Sequence, residues 1–216
     1  MRILIVEDSV LLREGISRLL SDAGHEVVAA LPDATQVETA VVEQDPELAI
    51  LDVRLPPTFT DEGIRAAQRL RATHPELAVL VLSQYVEERY ATELIAENTG
   101  GLGYLLKDRV ADVEEFLTSV ETVGSGGTVL DPEVVSQLLT RRRRDARMSR
   151  LTERESEVLA LMAQGHSNQA IATSLYVSEG SVEKHISSLF AKLDLEPDGS
   201  ENRRVLAVLA YIGSHK

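Results

Sequence analysis

Cysteine is absent from the 216 residues, which removes disulfide frameworks, thiolate metal sites, cysteine nucleophiles and iron–sulfur chemistry together. Long apolar runs are missing as well, since no stretch approaches the ~20 residues that a membrane-spanning helix needs. Only Ile3 to Val6 separate Met1-Arg2 from the acidic pair Glu7-Asp8, too short a run for the apolar region of a signal peptide. A cytoplasmic protein with no membrane contact is the expectation. Basic charge is scarce in one part of the chain: residues 1–123 hold 10 Lys/Arg against 23 Asp/Glu, whereas residues 124–216 hold 12 of each. Six arginines crowd residues 141–150, and residues 151–216 are mildly acidic. An acidic unit, a basic run and a second small unit make a two-domain reading, with residues 124–150 as linker. The 44% hydrophobic and 26% charged content is ordinary for a globular chain of this length.

Within residues 1–123, short β-branched or leucine-rich runs at 3–6, 26–31, 48–51, 78–82 and 102–106 suit strands buried on both faces. Between them the apolar period becomes helical: Leu12, Ile16, Leu19, Leu20 and Ala23 share one face, and Val110, Val113, Phe116, Leu117 and Val120 repeat the pattern. Five strand–helix alternations predict an α/β domain with a five-stranded, parallel, doubly wound sheet of flavodoxin-like type. Ligands of such sheets bind beyond the carboxyl ends of the strands. Those ends carry Glu7-Asp8, Asp52, Ser83 and Lys107.

Three converging carboxylates repel one another and call for a cation, and hard oxygen donors favour Mg²⁺. Asp52 is then a candidate nucleophile toward phosphorus, with the metal and Lys107 absorbing charge on the phosphoryl oxygens and Ser83 donating a hydrogen bond to them. Singly, each residue has a plainer reading, because a strand-end Asp or Ser is more often a helix cap and Lys107-Asp108 a solvated pair. Their joint placement at matching strand ends is what points to chemistry.

Residues 1–123 resemble the receiver domain of two-component response regulators. The resemblance rests on Glu7-Asp8, Leu51-Asp52-Val53-Arg54-Leu55-Pro56, Gly63, Ser83 and Gly103-Tyr104-Leu105-Leu106-Lys107. It implies that Asp52 accepts phosphate from a histidine kinase. It further implies that Asp8, Asp52 and the Arg54 carbonyl ligate Mg²⁺, with Glu7 acting through water, and that Lys107 pairs with the phosphoryl group. Ser83 and Tyr104 would be the switch pair, reshaping the face that includes the helix after strand 4. Two departures stand out: the segment from Pro56 to Gly63 is longer than usual in that family, and Asn98-Thr99-Gly100-Gly101 replaces its common small-residue turn before strand 5.

Gly124-Ser125-Gly126-Gly127 reads as a flexible break. Asp131-Pro132 then reads as cap and first residue of a short helix through Val134, Val135, Leu138 and Leu139. Arginines 141–144 fit a helix end or a phosphate contact. From residue 151 four helices are predicted, the first opened by a Thr152/Glu155 capping box and the third by Ser178. In that third helix Ile186, Leu189, Phe190 and Leu193 lie within about 80° of Val182, a buried stripe. Gly180, Lys184, Ser187, Ser188 and Ala191 are assigned to the opposite face, slim enough for a major groove.

The run Leu151-Thr152-x-Arg154-Glu155-x-Glu157-Val158-Leu159, with Gly165-x-Ser167-Asn168 and Val177-Ser178-x-x-Ser181-Val182-x-x-His185-Ile186, resembles the LuxR/NarL-type helix-turn-helix domain. The resemblance assigns residues 151–216 to double-stranded DNA. It places Lys184, Ser187 and Ser188 toward the bases, and Asn168, Ser178, His185 and Lys192 nearer phosphates, with Ser181 also counted among the DNA-binding residues. Val205, Leu206 and Leu209 would form the contact of a homodimer assembled on DNA upon phosphorylation. Glu183 stands where that family usually has lysine, so base specificity does not transfer. The leading expectation is a phosphorylation-dependent transcriptional regulator, not an enzyme. The alternative is a DNA-binding regulator that ignores phosphate and answers to a protein or metabolite at the receiver face. A phosphatase would need a second Asp where Arg54 stands, and Glu7-Asp8 would repel a flavin phosphate.

Overall fold

The computed structural model describes residues 1–86, 100–195 and 202–214, with Arg142 through its backbone. The helix expected after strand 4, and Asn98 and Thr99, lie outside the described residues. The chain divides into two compact units, Met1–Leu138 and Leu139–Lys216.

The first unit is a parallel sheet in the order β2-β1-β3-β4-β5-β6. Its strands are β1 (Arg2–Val6), β2 (Glu26–Leu31), β3 (Leu48–Asp52), β4 (Ala78–Ser83), β5 (Leu102–Leu106) and β6 (Thr128–Leu130). Helices α1 (Val10–Asp22), α2 (Val37–Gln44), α3 (Glu62–Thr73) and α4 (Val113–Gly124) accompany them. Alternate residues of each strand feed separate cores on the two faces, as the two-residue strand period requires. Leu4, Val6, Ala49, Leu51, Val79, Val81 and Tyr104 pack on one side. Ile3, Ile5, Leu48, Ile50, Leu80, Leu82 and Leu105 pack on the other, together with Ile16, Leu20, Phe116 and Val120 of the helices. Central strands thus read as unbroken apolar runs because both faces are covered.

The sheet has six strands where five are expected. Thr128–Leu130 extends β5 in parallel, pairing Leu102 with Thr128 and Tyr104 with Leu130. A three-residue strand between glycines and Asp131-Pro132 is too short to show a period. The helix that follows, α5 (Pro132–Met148), is 17 residues and not short. Val134 near its start is wholly buried in the first core. Residues 128–138, expected as linker, therefore belong to the first unit.

Gly63 fixes the seat of the site. A Cβ there would lie 1.6 Å from the Asp52 carbonyl oxygen, so only glycine lets the start of α3 approach the end of β3, where the Gly63 amide donates to Val53 at 3.0 Å.

The second unit contains α6 (Glu153–Ala163), α7 (Asn168–Leu175), α8 (Glu179–Lys192) and α9 (Arg203–Ser214). Thr152 and Glu155 form the expected capping box, and Ser167 and Ser178 cap α7 and α8. Tyr176, left-handed at φ 55°, ends α7 and opens the tight turn into α8. The core joins Val158, Leu159, Met162, Ile171, Val182, Ile186, Leu189 and Phe190. Among the described residues no helix is long and apolar enough to cross a membrane.

Candidate functional sites

At the carboxyl rim of the sheet, one oxygen each from Glu7, Asp8 and Asp52 lies within 4.8 Å of the others. Lys107 reaches across from the end of β5, its Nζ 2.9 Å from Asp52 Oδ2 and 2.8 Å from Glu7 Oε2. The same ammonium donates to Glu7 Oε1 at 3.0 Å, and Glu7 Oε2 keeps no hydrogen bond of its own. The Arg54 amide donates to Asp52 Oδ1 at 3.3 Å, and its guanidinium stands 5.7 Å from the centre of the Tyr85 ring. Ser83, 2% exposed, donates to the Tyr85 carbonyl at 2.6 Å. Tyr104 is buried two strand positions behind.

Charge in this rim is under-compensated. Burial raises Asp52 above the ordinary carboxylate value despite Lys107, and burial with the neighbouring Asp52 charge raises Glu7. Burial would depress Lys107, yet its hydrogen bonds to Glu7 and Asp52 leave it raised. Three carboxylates against one ammonium, with both oxygens of Glu7 sharing that ammonium with Asp52, form an all-oxygen donor set that fits a hard divalent cation.

The longer segment after β3 is tied to its own end. Amides of Thr58 and Thr60 each donate to Glu62 at 3.0 Å. Those bonds outweigh burial and lower Glu62 to about 2.

On α8, Lys184 and Ser187 are exposed and His185 is half-exposed. Ser181 is spent partly on capping: Ser178 accepts its amide at 3.2 Å, and the two hydroxyls are 2.8 Å apart. Three other candidates, each half-exposed, have partners within the second unit. Ser188 donates to Glu155 Oε1 at 2.6 Å and Lys192 Nζ to Glu155 Oε2 at 2.6 Å. Asn168 accepts from Arg204 at 2.9 Å. At 100° per residue Ser188 and Lys192 lie on the flank of α8, not opposite Val182, and a carboxylate on α6 captures both. On α9, Val205 and Leu209 are 53% and 59% exposed, whereas Leu206 is half-buried.

The sequence reading missed Glu155 as more than a cap. It is 4% exposed and bonded to the Thr152 amide at 2.8 Å as well as to Ser188 and Lys192. Burial would raise it, but these bonds lower it to about 2. The available signal was the capping box, whose carboxylate retains acceptor capacity after bonding one amide. Asp131, read as a cap, was likewise missed as a fully buried ion-pair partner of Arg109.

The response regulator receiver domain family matches residues 3–121, and the luxR family of bacterial regulatory proteins matches residues 149–210. The transcriptional regulatory protein DegU of Brevibacillus brevis is 33% identical over 98% of this chain and 92% of its own. The oxygen regulatory protein NreC of Staphylococcus haemolyticus is 32% identical over 91% and 92%. Among solved structures, RcsB of Salmonella enterica serovar Typhimurium, bound to promoter rprA with the phosphomimetic BeF₃⁻, is 26% identical over all of both chains, with a TM-score of 0.52. The chain therefore belongs to the response regulators that join a receiver domain to a LuxR-type helix-turn-helix, DNA-binding transcription regulators rather than enzymes.

Proposed function

We propose that Asp52 is the phosphoacceptor of a two-component pair and that its phosphorylation controls DNA binding by residues 151–216. One observation carries the reading: Lys107 bridges the buried Asp52 and Glu7 in a three-carboxylate rim completed by the half-buried Asp8. Asp52 attacks the phosphorus of a kinase phosphohistidine, the P–N bond breaks, and the imidazole nitrogen leaves with the electron pair. Lys107, already within hydrogen-bond reach of the nucleophile, moves onto a phosphoryl oxygen, and Ser83 exchanges the Tyr85 carbonyl for another. Glu7, Asp8, Asp52 and the Arg54 carbonyl would hold Mg²⁺, which when bound neutralises charge between rim and phosphoryl group. Histidine kinase, double-stranded DNA and a second copy of the chain are the partners.

On the DNA side, Lys184 and Ser187 face the bases, flanked by Ser181 and His185, while Ser178 presents the capped start of α8 to phosphate. Exposed Val205 and Leu209 supply the dimer contact. Selection of duplexes from random DNA, with Mg²⁺ alone and with Mg²⁺ plus beryllofluoride, tests the reading. An inverted repeat enriched only with beryllofluoride is expected, and Asp52→Asn abolishes that dependence. Equal enrichment in both arms would leave a regulator indifferent to phosphate.

A further inference from the structure

The segment after the last receiver helix is bonded to Tyr104, one half of the expected switch pair, and to the turn that carries Lys107. Leu130 pairs with Tyr104, and the Asp131 amide donates to the Tyr104 carbonyl at 2.8 Å. The Asp131 carboxylate, wholly buried, collects four donors. Two come from Arg109, Nε at 2.9 Å and Nη2 at 3.3 Å. The Leu106 amide gives a third at 3.3 Å, and the Glu133 amide, at the start of α5, a fourth at 2.9 Å. Leu106 and Arg109 flank Lys107, which opens the 3₁₀ turn Lys107–Ala111.

Resting on the phosphoacceptor reading above, we propose that Asp131 and Arg109 form a latch that fastens the start of α5 to the Lys107 turn and that phosphorylation of Asp52 loosens it. A three-residue edge strand is marginal by itself. Its hold comes from the Asp131 carboxylate and the buried Val134. When Lys107 leaves the Asp52–Glu7 pair for a phosphoryl oxygen, the turn shifts. A displacement of a fraction of an ångström then strains the bonds from Leu106 and Arg109 together, because a packed, hydrogen-bonded junction has discrete arrangements and does not deform continuously. Asp131 is thus a positioning residue for Lys107 on one side and the cap of α5 on the other. Helix α5 leads the chain from the first unit into the second, so loosening its first turn passes the state of Asp52 onward. Linkage makes the coupling reciprocal: what cuts the latch also favours the phosphorylated form.

Hydrogen–deuterium exchange of the full chain in Mg²⁺, with and without beryllofluoride, tests this, while ¹⁹F NMR reports bound beryllofluoride independently. In the wild type, beryllofluoride raises exchange of peptides covering 126–138 by roughly threefold or more, the measure of a local opening. Arg109→Gln raises that exchange without beryllofluoride, removes its response, and binds beryllofluoride more tightly. Arg109→Lys restores part of the response, which a purely structural role would not do. Bound beryllofluoride with 126–138 unmoved in the wild type overturns the latch, as does an Arg109→Gln protein that responds normally. Absence of a bound ¹⁹F signal overturns the phosphoacceptor reading itself, and the latch with it.

Discussion

Asp52 and Glu155 are equally hidden, 5% and 4% exposed, and each is bonded to a lysine. They nevertheless titrate in opposite directions, Asp52 above its ordinary value and Glu155 down to about 2. The difference lies in how deeply each carboxylate is set among protein atoms, deeper for Asp52, and in what surrounds the lysine. At the rim one ammonium serves Asp52 and Glu7, with Asp8 alongside, and burial wins. In the second unit one carboxylate receives an ammonium, a serine hydroxyl and a backbone amide, and its charge is settled. A buried carboxylate left short of donors is prepared to take a cation and a phosphoryl group. One supplied with them holds two helices together.

That contrast is sharpened first at Glu155. Glu155→Ala, which leaves the Lys192 ammonium without its partner, lowers the stability of the second unit by about 3 kcal/mol in chemical denaturation of the full chain. The wild type shows the same dependence in acid. The folded value lies below the ordinary 4.5, so the contribution is complete above 4.5 and is lost as pH falls toward about 2. A second unit whose stability stayed level across that window would break the comparison.

Next comes the pair of lysines on α8. Lys184→Ala reduces DNA affinity about tenfold and leaves the melting temperature unchanged, because the side chain is exposed and free to face a base edge. Lys192→Ala removes an internal bond to Glu155, and costs about 2 kcal/mol of stability in the same unit. Fluorescence anisotropy with the selected duplex and thermal denaturation separate the two. The smallest effect is at the rim, where Mg²⁺ at ten times its Kd stabilises the first unit by about 1.4 kcal/mol and leaves the second unmoved. Asp52→Asn reduces that increment.

Much of this was legible in the sequence. Strands covered on both faces print as apolar runs, so β1 to β5 could be located nearly to the residue, and the strand-end positions of Glu7, Asp8, Asp52, Ser83 and Lys107 followed from them. Two of the four helices of the second unit announced themselves through caps at Thr152 and Ser178. What stayed hidden was pairing over distance. β6 depends on an edge of β5 some 25 residues upstream, and neither Thr128 nor Leu130 carries a local sign of it. The second half of α5 is dominated by arginine, which masks its length. Ser188 and Lys192 sit on a helix flank, and neither position carries a local sign of the Glu155 carboxylate, 33 and 37 positions earlier, to which both are bonded.

The short strand β6 also determines where the receiver can be cut. A fragment ending at residue 123, the boundary that composition suggests, would strip Thr128–Leu130 from β5 and uncover the backbone of a central strand as a raw sheet edge. Arg109 would lose its carboxylate and the pocket around Val134 would open to water. Such a fragment carries the complete carboxylate rim, yet offers its neighbours a template for intermolecular strand addition. A receiver ending at residue 138 keeps that edge sealed and should stay monodisperse where the shorter piece aggregates.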